Sequence, residues 1–179
     1  MTRRVSAIAA MAVLAACNPK APPVSVGTSA NPAATPTGIS LKITGSGNAK
    51  APARFVEQKE NRKYYQLLAS TFESVGAAGS AVVTFTNAHA SFFGKDGSQL
   101  DARAPRAVVD QKRNEVTLEG GVHAYNSEGM TLACDTLTYD RGTEMIHGMG
   151  HVVITNKNGF HGTGNRFDSD ISLTHTTMR

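Results

Sequence analysis

The stretch Leu100–Asp110, LDARAPRAVVD, decides the fold. Leu100, Ala102 and Ala104 alternate with polar neighbours, so they share one face of an extended strand. The phase then slips by one residue, to Ala107 and Val109, and Asp110 closes the run. About thirty residues later Met130–Asp140, MTLACDTLTYD, repeats the pattern, with Met130, Leu132 and Cys134 before the slip and Leu137 and Tyr139 after it. Phe160–Asp170, FHGTGNRFDSD, repeats it again with Phe160, Gly162, Gly164, then Phe167 and Ser169. A one-residue slip in alternation is what a β-bulge produces.

Other strands fill the gaps between these copies. Val83 and Phe85 alternate, and Val116, Leu118, Val122 and Ala124 share a parity across Gly120. Turn sequences separate the runs at Lys95-Asp96-Gly97, Gln111–Asn114, Asn126–Gly129, Asp140–Gly142 and Asn156–Gly159. Each repeat is therefore two antiparallel strands. One hairpin cannot bury its apolar face alone, so neighbours must stack. The prediction is an all-β fold, a β-jellyroll or short two-sheet solenoid with a repeat of about 30 residues and open ends. A closed sandwich of the same strands is the competing architecture, which the regular period disfavours. A degenerate earlier copy runs through Tyr65, Leu67 and Ala69, then Phe72 and Ser74. The set Tyr64, Leu67, Leu68, Phe72 and Val75 also fits a helix face, so residues 63–77 stay open between strand, favoured by the repeat, and helix.

The composition agrees. The chain has 179 residues, 40% apolar and 18% charged, with 17 Gly, 6% aromatics and no Trp, which is not the make-up of a helical bundle. The net charge of +4 includes Arg3 and Arg4, and no basic cluster carries interleaved aromatics, so nucleic acid is not an expected partner.

The chain divides into four parts. Residues 1–16 read as a secretory signal: Arg3 and Arg4, a short apolar run to Val13, then Leu14-Ala15-Ala16 before Cys17. That ending resembles the lipobox of bacterial lipoproteins, which implies that Cys17 is the lipid anchor. Two or more acyl chains anchor stably, where one is marginal. Residues 17–52 hold Pro19, Pro22, Pro23, Pro32, Pro36 and Pro52, all but one of the 7 prolines, and read as a disordered tether. Within it Ile39–Ile43 alternates and offers an extra strand. Residues 53–170 form the β-domain, and 171–179 a Thr-rich tail that either covers the last edge or hangs free. With Cys17 acylated, Cys134 has no partner in the chain and reads as a buried small side chain.

Several segments resemble one family. Gly121–Tyr125, Gly129–Leu132 and Asp135–Asp140 look like consecutive elements of lipopolysaccharide-transport domains of the LptC-like and OstA-like kind. Gly150–Thr155 with Gly162-Thr163-Gly164 matches the next turn, and Phe93–Gly97 with Ala102–Ala107 an earlier one. The resemblance covers roughly residues 80 to 170, with a weaker extension back to 53. It implies a non-enzymatic periplasmic component that receives lipopolysaccharide from an inner-membrane ABC transporter. Acyl chains would lie between the sheets and pass to a periplasmic bridge protein. ATP hydrolysis would belong to the transporter. Members normally carry a membrane helix where this chain has its lipobox. The transport role favours the inner membrane, while Asn18 permits sorting to the outer one.

The lining expected for acyl chains is Val83, Phe85, Leu100, Ala102, Val116, Leu118, Val122, Ala124, Met130, Leu132, Cys134, Leu137 and Ile154. These residues equally suit ordinary core packing. Gly162 and Gly164 would leave the last turn thin and open. Arg103, Arg106, Lys112, Arg113 and Arg166 are the candidate rim for an anionic head group. Residues 159–170 form the C-terminal edge, whose free backbone groups invite β-augmentation by a bridge protein. An outer-envelope structural or assembly lipoprotein with a solid core is the alternative. Catalysis has no motif behind it. His89, His123, His147, His151, His161 and His175 show no metal-ligand spacing, and no phosphate-cradling Gly loop or HExxH occurs, so no cofactor is expected.

Overall fold

The computed structural model describes residues 41–48, 50–77 and 79–179. The signal segment, Cys17 and most of the tether lie outside the described residues. The described residues form eleven antiparallel strands in one continuous sheet. They are β1 (Leu41–Ser46), β2 (Ala53–Lys59), β3 (Arg62–Ala69), β4 (Thr71–Gly76), β5 (Val82–Phe93), β6 (Gln99–Asp110), β7 (Glu115–Asn126), β8 (Met130–Asp140), β9 (Met145–Asn156), β10 (His161–Asp170) and β11 (Thr177–Met178). Residues 63–69 and 71–76 are thus strand, with a break at Ser70. Among the described residues the sheet extends back to Leu41, outside the 53–170 span, with Leu41–Ser46 running against β4.

Every long strand breaks at its middle, and the breaks line up. Register shifts fall between Arg103 and Arg106, Glu119 and Val122, Ala133 and Thr136, and Gly164 and Arg166. Asn87, Gly120, Gly121, Gly150 and His151 have positive φ on the same line. The breaks in β6, β8 and β10 are the slips read in the sequence, whereas β7 and β9 keep one parity of buried residues through theirs. An extra residue bends a strand sharply, and a row of them bends the sheet. The result is two layers joined along a crease.

The first layer holds β2, β3 and residues 88–93, 99–104, 122–126, 130–134, 152–156 and 161–164. The second holds β1, β4, β11 and residues 82–86, 106–110, 115–119, 136–140, 145–149 and 166–170. That the layers face each other is shown by rings from opposite sides of the crease. Phe92 and Tyr139 have centroids 4.8 Å apart, and Tyr65 and Tyr139 6.2 Å. Small residues, Ala88, Ala104, Cys134 and Gly148, sit nearest the crease, where the layers converge; Phe92 and Tyr139 fill the space farther out.

The free ends of the layers are turns with a common device. Asp110 Oδ1 accepts the amides of Lys112 and Arg113, both at 3.0 Å, and Asp140 Oδ1 accepts that of Gly142 at 2.7 Å. Asn126 Oδ1 accepts from Glu128 and Met130, and Asn156 Oδ1 from Asn158 and Phe160. The Asp or Asn that closes each repeat is therefore an Asx-turn residue that ends the strand. Asp135 and Asp168 lie away from these turns and pair with His151 (2.8 Å) and His147 (2.6 Å) on the outer surface.

Candidate functional site

The space between the layers is the candidate site. Of the thirteen expected lining residues, twelve are buried there: Val83, Phe85, Leu100, Ala102, Val116, Leu118, Val122, Ala124, Leu132, Cys134, Leu137 and Ile154. Met130 is half-buried and packs against the same cluster. The structure adds Tyr65, Leu67, Phe92, Val109, Tyr139, Ile146, Val152 and Phe167 from neighbouring rows. In this conformation the side chains meet and the interior is closed. Burial pushes the Cys134 thiol up to about 11, and its Sγ lies 3.2 Å from the Thr136 carbonyl. One polar atom in the interior has no hydrogen-bond partner among the described residues apart from the outward-facing His89 Nε2: the hydroxyl of Tyr139.

Opposite the crease the layers meet at a mouth, and charges hold it shut. Arg62 of β3 donates two hydrogen bonds to Glu144 in the β8–β9 turn, at 2.8 and 2.6 Å. Lys95, in the β5–β6 turn, reaches the same carboxylate at 3.1 Å. Arg141 crosses the other way to Glu57 of β2. The Arg62 and Arg141 guanidiniums lie 4.6 and 5.7 Å from the Tyr64 ring. Arg62's hydrogen bond holds the Glu144 carboxyl below its ordinary range, against the effect of burial and with help from Lys95. Beside this latch, Glu57, Tyr65, Asp110, Asn114 and Arg141 line an open pocket of about 340 Å³.

The expected rim cations are all exposed but do not converge. Arg103, Arg106 and Arg166 sit near the crease, and Arg106 is paired with Glu119. Lys112 and Arg113 lie in the β6–β7 turn at the mouth end of the second layer, with Arg113 3.7 Å from Asp110 and 3.9 Å from Glu115. The cations that do converge, Arg62, Lys95 and Arg141, were not singled out from sequence. Their partners are far along the chain, 82 residues away for Arg62 and 84 for Arg141, and no local spacing marks them.

The C-terminal end of the interior is covered by the tail. Ile171 and Leu173 are buried in the core, and Asn126 donates to the Ser172 carbonyl at 2.8 Å across the mouth. The chain then returns as β11 along the second-layer half of β10. The Arg179 carbonyl accepts the amides of Asn165 and Arg166 at 2.9 and 3.0 Å. A Cβ on Gly162 would meet Met178 Sδ at 3.0 Å, and one on Gly164 the Arg179 carbonyl oxygen at 3.0 Å. The two glycines therefore make room for the tail. They do not leave the last turn open, because the tail occupies that side. The first-layer half of β10, residues 161–164, keeps its outer edge free of other strands among the described residues.

Among the described residues no three His, Cys, Asp or Glu side chains are placed to hold a metal, and no helix is long and apolar enough to cross a membrane. A family model described as "Lipopolysaccharide-assembly, LptC-related" matches residues 53–178. No curated protein matches the chain.

Proposed function

Because this chain belongs to the LptC-related lipopolysaccharide-assembly family, we propose that its two layers part at the mouth and take acyl chains of lipopolysaccharide between them. As a member of that family it is a non-enzymatic periplasmic component that shuttles lipopolysaccharide. Cys17 holds it to a membrane by acyl chains, an inner-membrane ABC transporter loads it, and a periplasmic β-bridge protein receives the lipid by strand addition along β10. The observation that carries this reading is the construction of the mouth. Covalent continuity and a hydrogen-bonded crease join the layers on one side, whereas the opposite side is closed by ion pairs and turn contacts. Opening there keeps the sheet ladders intact. Each buried CH2 of an incoming chain contributes about 0.8 kcal/mol, so a few acyl chains offset the loss of side-chain contacts between the layers.

The closed interior, with Leu100, Leu118 and Phe92 fully buried, is the observation that favours the alternative of an envelope lipoprotein with a solid core. Photo-crosslinkers at Leu118, Leu132 and Ile154 of the full chain, with Lys112 as control, separate the two. Saturable crosslinking of lipopolysaccharide at the interior positions is the expected result. Labelling confined to Lys112, or none, selects the solid core.

A further inference from the structure

We propose that Arg62 and Lys95 form the binding site for a phosphate monoester of the lipid head group, which replaces Glu144 as their partner when the mouth opens. The inference rests on the interior being an acyl-chain slot, and adds where the polar end is held. Arg62 and Lys95 belong to the first layer, and their shared carboxylate to the second. Glu144 is the only acid within ion-pair distance of either among the described residues. Parting the layers therefore removes the anion from two cations at once, while Glu144 moves into water.

The incoming group must suit what remains. The guanidinium is held against Tyr64, with its NH groups already directed into the mouth. An Arg fork binds two oxygens of a planar or tetrahedral oxyanion, and an ammonium takes a third. A phosphate monoester supplies three such oxygens and up to two charges, against the single charge of Glu144. Close to the latch the buried Tyr139 hydroxyl has no partner in the closed state. A buried hydroxyl left unbonded is unfavourable, and here it is a donor in reserve toward the free end of β8. No bond is made or broken covalently; one anion is exchanged for another.

The test uses the full chain with a photo-crosslinker at Leu132. Lipopolysaccharide is titrated against the same material stripped of its phosphates. The double variant Arg62→Ala/Lys95→Ala is expected to raise the half-saturating concentration of the phosphorylated lipid at least tenfold, with Lys157→Ala as a neutral control. The stripped lipid should bind the unaltered chain equally weakly and be indifferent to the double variant. Glu144→Gln, which removes the competing anion, should tighten binding of the phosphorylated lipid, a gain that misfolding cannot produce. Inorganic phosphate forms the second arm. If it protects as well as the phosphorylated lipid does, mole for mole, the site is one for free phosphate and the proposal is overturned. Interior crosslinking that ignores both the phosphate and the variants also overturns it, while leaving the slot intact. Absence of interior crosslinking with every lipid removes the slot itself.

Discussion

Arg62 and Glu144, 82 residues apart in sequence, meet in a two-bond ion pair that joins the free ends of the two layers. Glu144 is the more buried partner, with a side chain 12% exposed against 28% for Arg62. Its carboxyl is held below the ordinary 4.5, first by Arg62 and then by Lys95. A carboxyl depressed in the folded state stabilises it fully above the ordinary value, and that contribution fades as pH falls through the lower, folded value. Thermal stability should therefore drop on acidification below about pH 4.5, and Glu144→Gln should flatten part of that drop. Glu144→Ala should cost about 1–2 kcal/mol at neutral pH, a charged hydrogen bond discounted for partial exposure. Urea unfolding across pH reads both.

The crease depends on backbone that few side chains tolerate. Gly121 has φ +92°, and a Cβ there would meet nothing within 4 Å. The cost of Gly121→Ala is then purely conformational, about 1–2 kcal/mol. Gly142, a turn glycine without positive φ whose added Cβ would lie 3.2 Å from the Asp140 side chain, should lose less than Gly121 on change to Ala, below about 1 kcal/mol. Equal losses at the two sites in chemical denaturation would argue against a strained crease.

Cys134 reports on whether the layers open. Its thiol is buried and pushed up to about 11, so the reactive thiolate is scarce at neutral pH. Alkylation at pH 8 should be slow for the closed protein and fast in denaturant. Added lipopolysaccharide is expected to change the rate at the Cys134 peptide, read by mass spectrometry. A rate unmoved by saturating lipid would mean that the layers do not part near the crease.

The tail makes a separate prediction. Gly164→Ala places a methyl 3.0 Å from the Arg179 carbonyl oxygen, which accepts the amides of Asn165 and Arg166. Hydrogen exchange at those two amides should accelerate about tenfold or more, while exchange in β7 and β8 stays unchanged. Acceleration throughout the sheet would show that the tail is part of the global fold and not a local cover.

Acidification should loosen the same tail. Asp170 lies well below its ordinary value: burial opposes its charge, but His175, Ser172 and Thr174 hydrogen-bond to it and prevail. The sign is that of Glu144, with the contribution present above the ordinary carboxylate range and lost in acid. Asp170→Asn should free the 174–179 segment at neutral pH, seen as sharp, mobile amide resonances for Thr174 to Arg179.

The sequence alone specified the strands from Val83 to Asp170, the breaks in β6, β8 and β10 and the side that faces inward; it left 63–77 open and did not mark β2 or β11. Alternation of period two survives in any sheet environment, and a bulge leaves its one-residue slip in the pattern, as at Ala104 to Ala107 and Gly164 to Phe167. The terminal Asp and Asn of each repeat were legible too, since an Asx turn is made within five residues. Tertiary structure alone decided the rest. Phe92 touches Tyr139, and Arg62 finds Glu144, only because a row of bulges folds the sheet onto itself. The same folding separates Arg103 and Arg106 at the crease from Lys112 and Arg113 at the mouth, although the four lie close together in the chain. Local periodicity records what each residue does to its own strand. Which free ends meet depends on the summed twist and bend of the whole sheet, a global quantity that no short stretch of sequence carries.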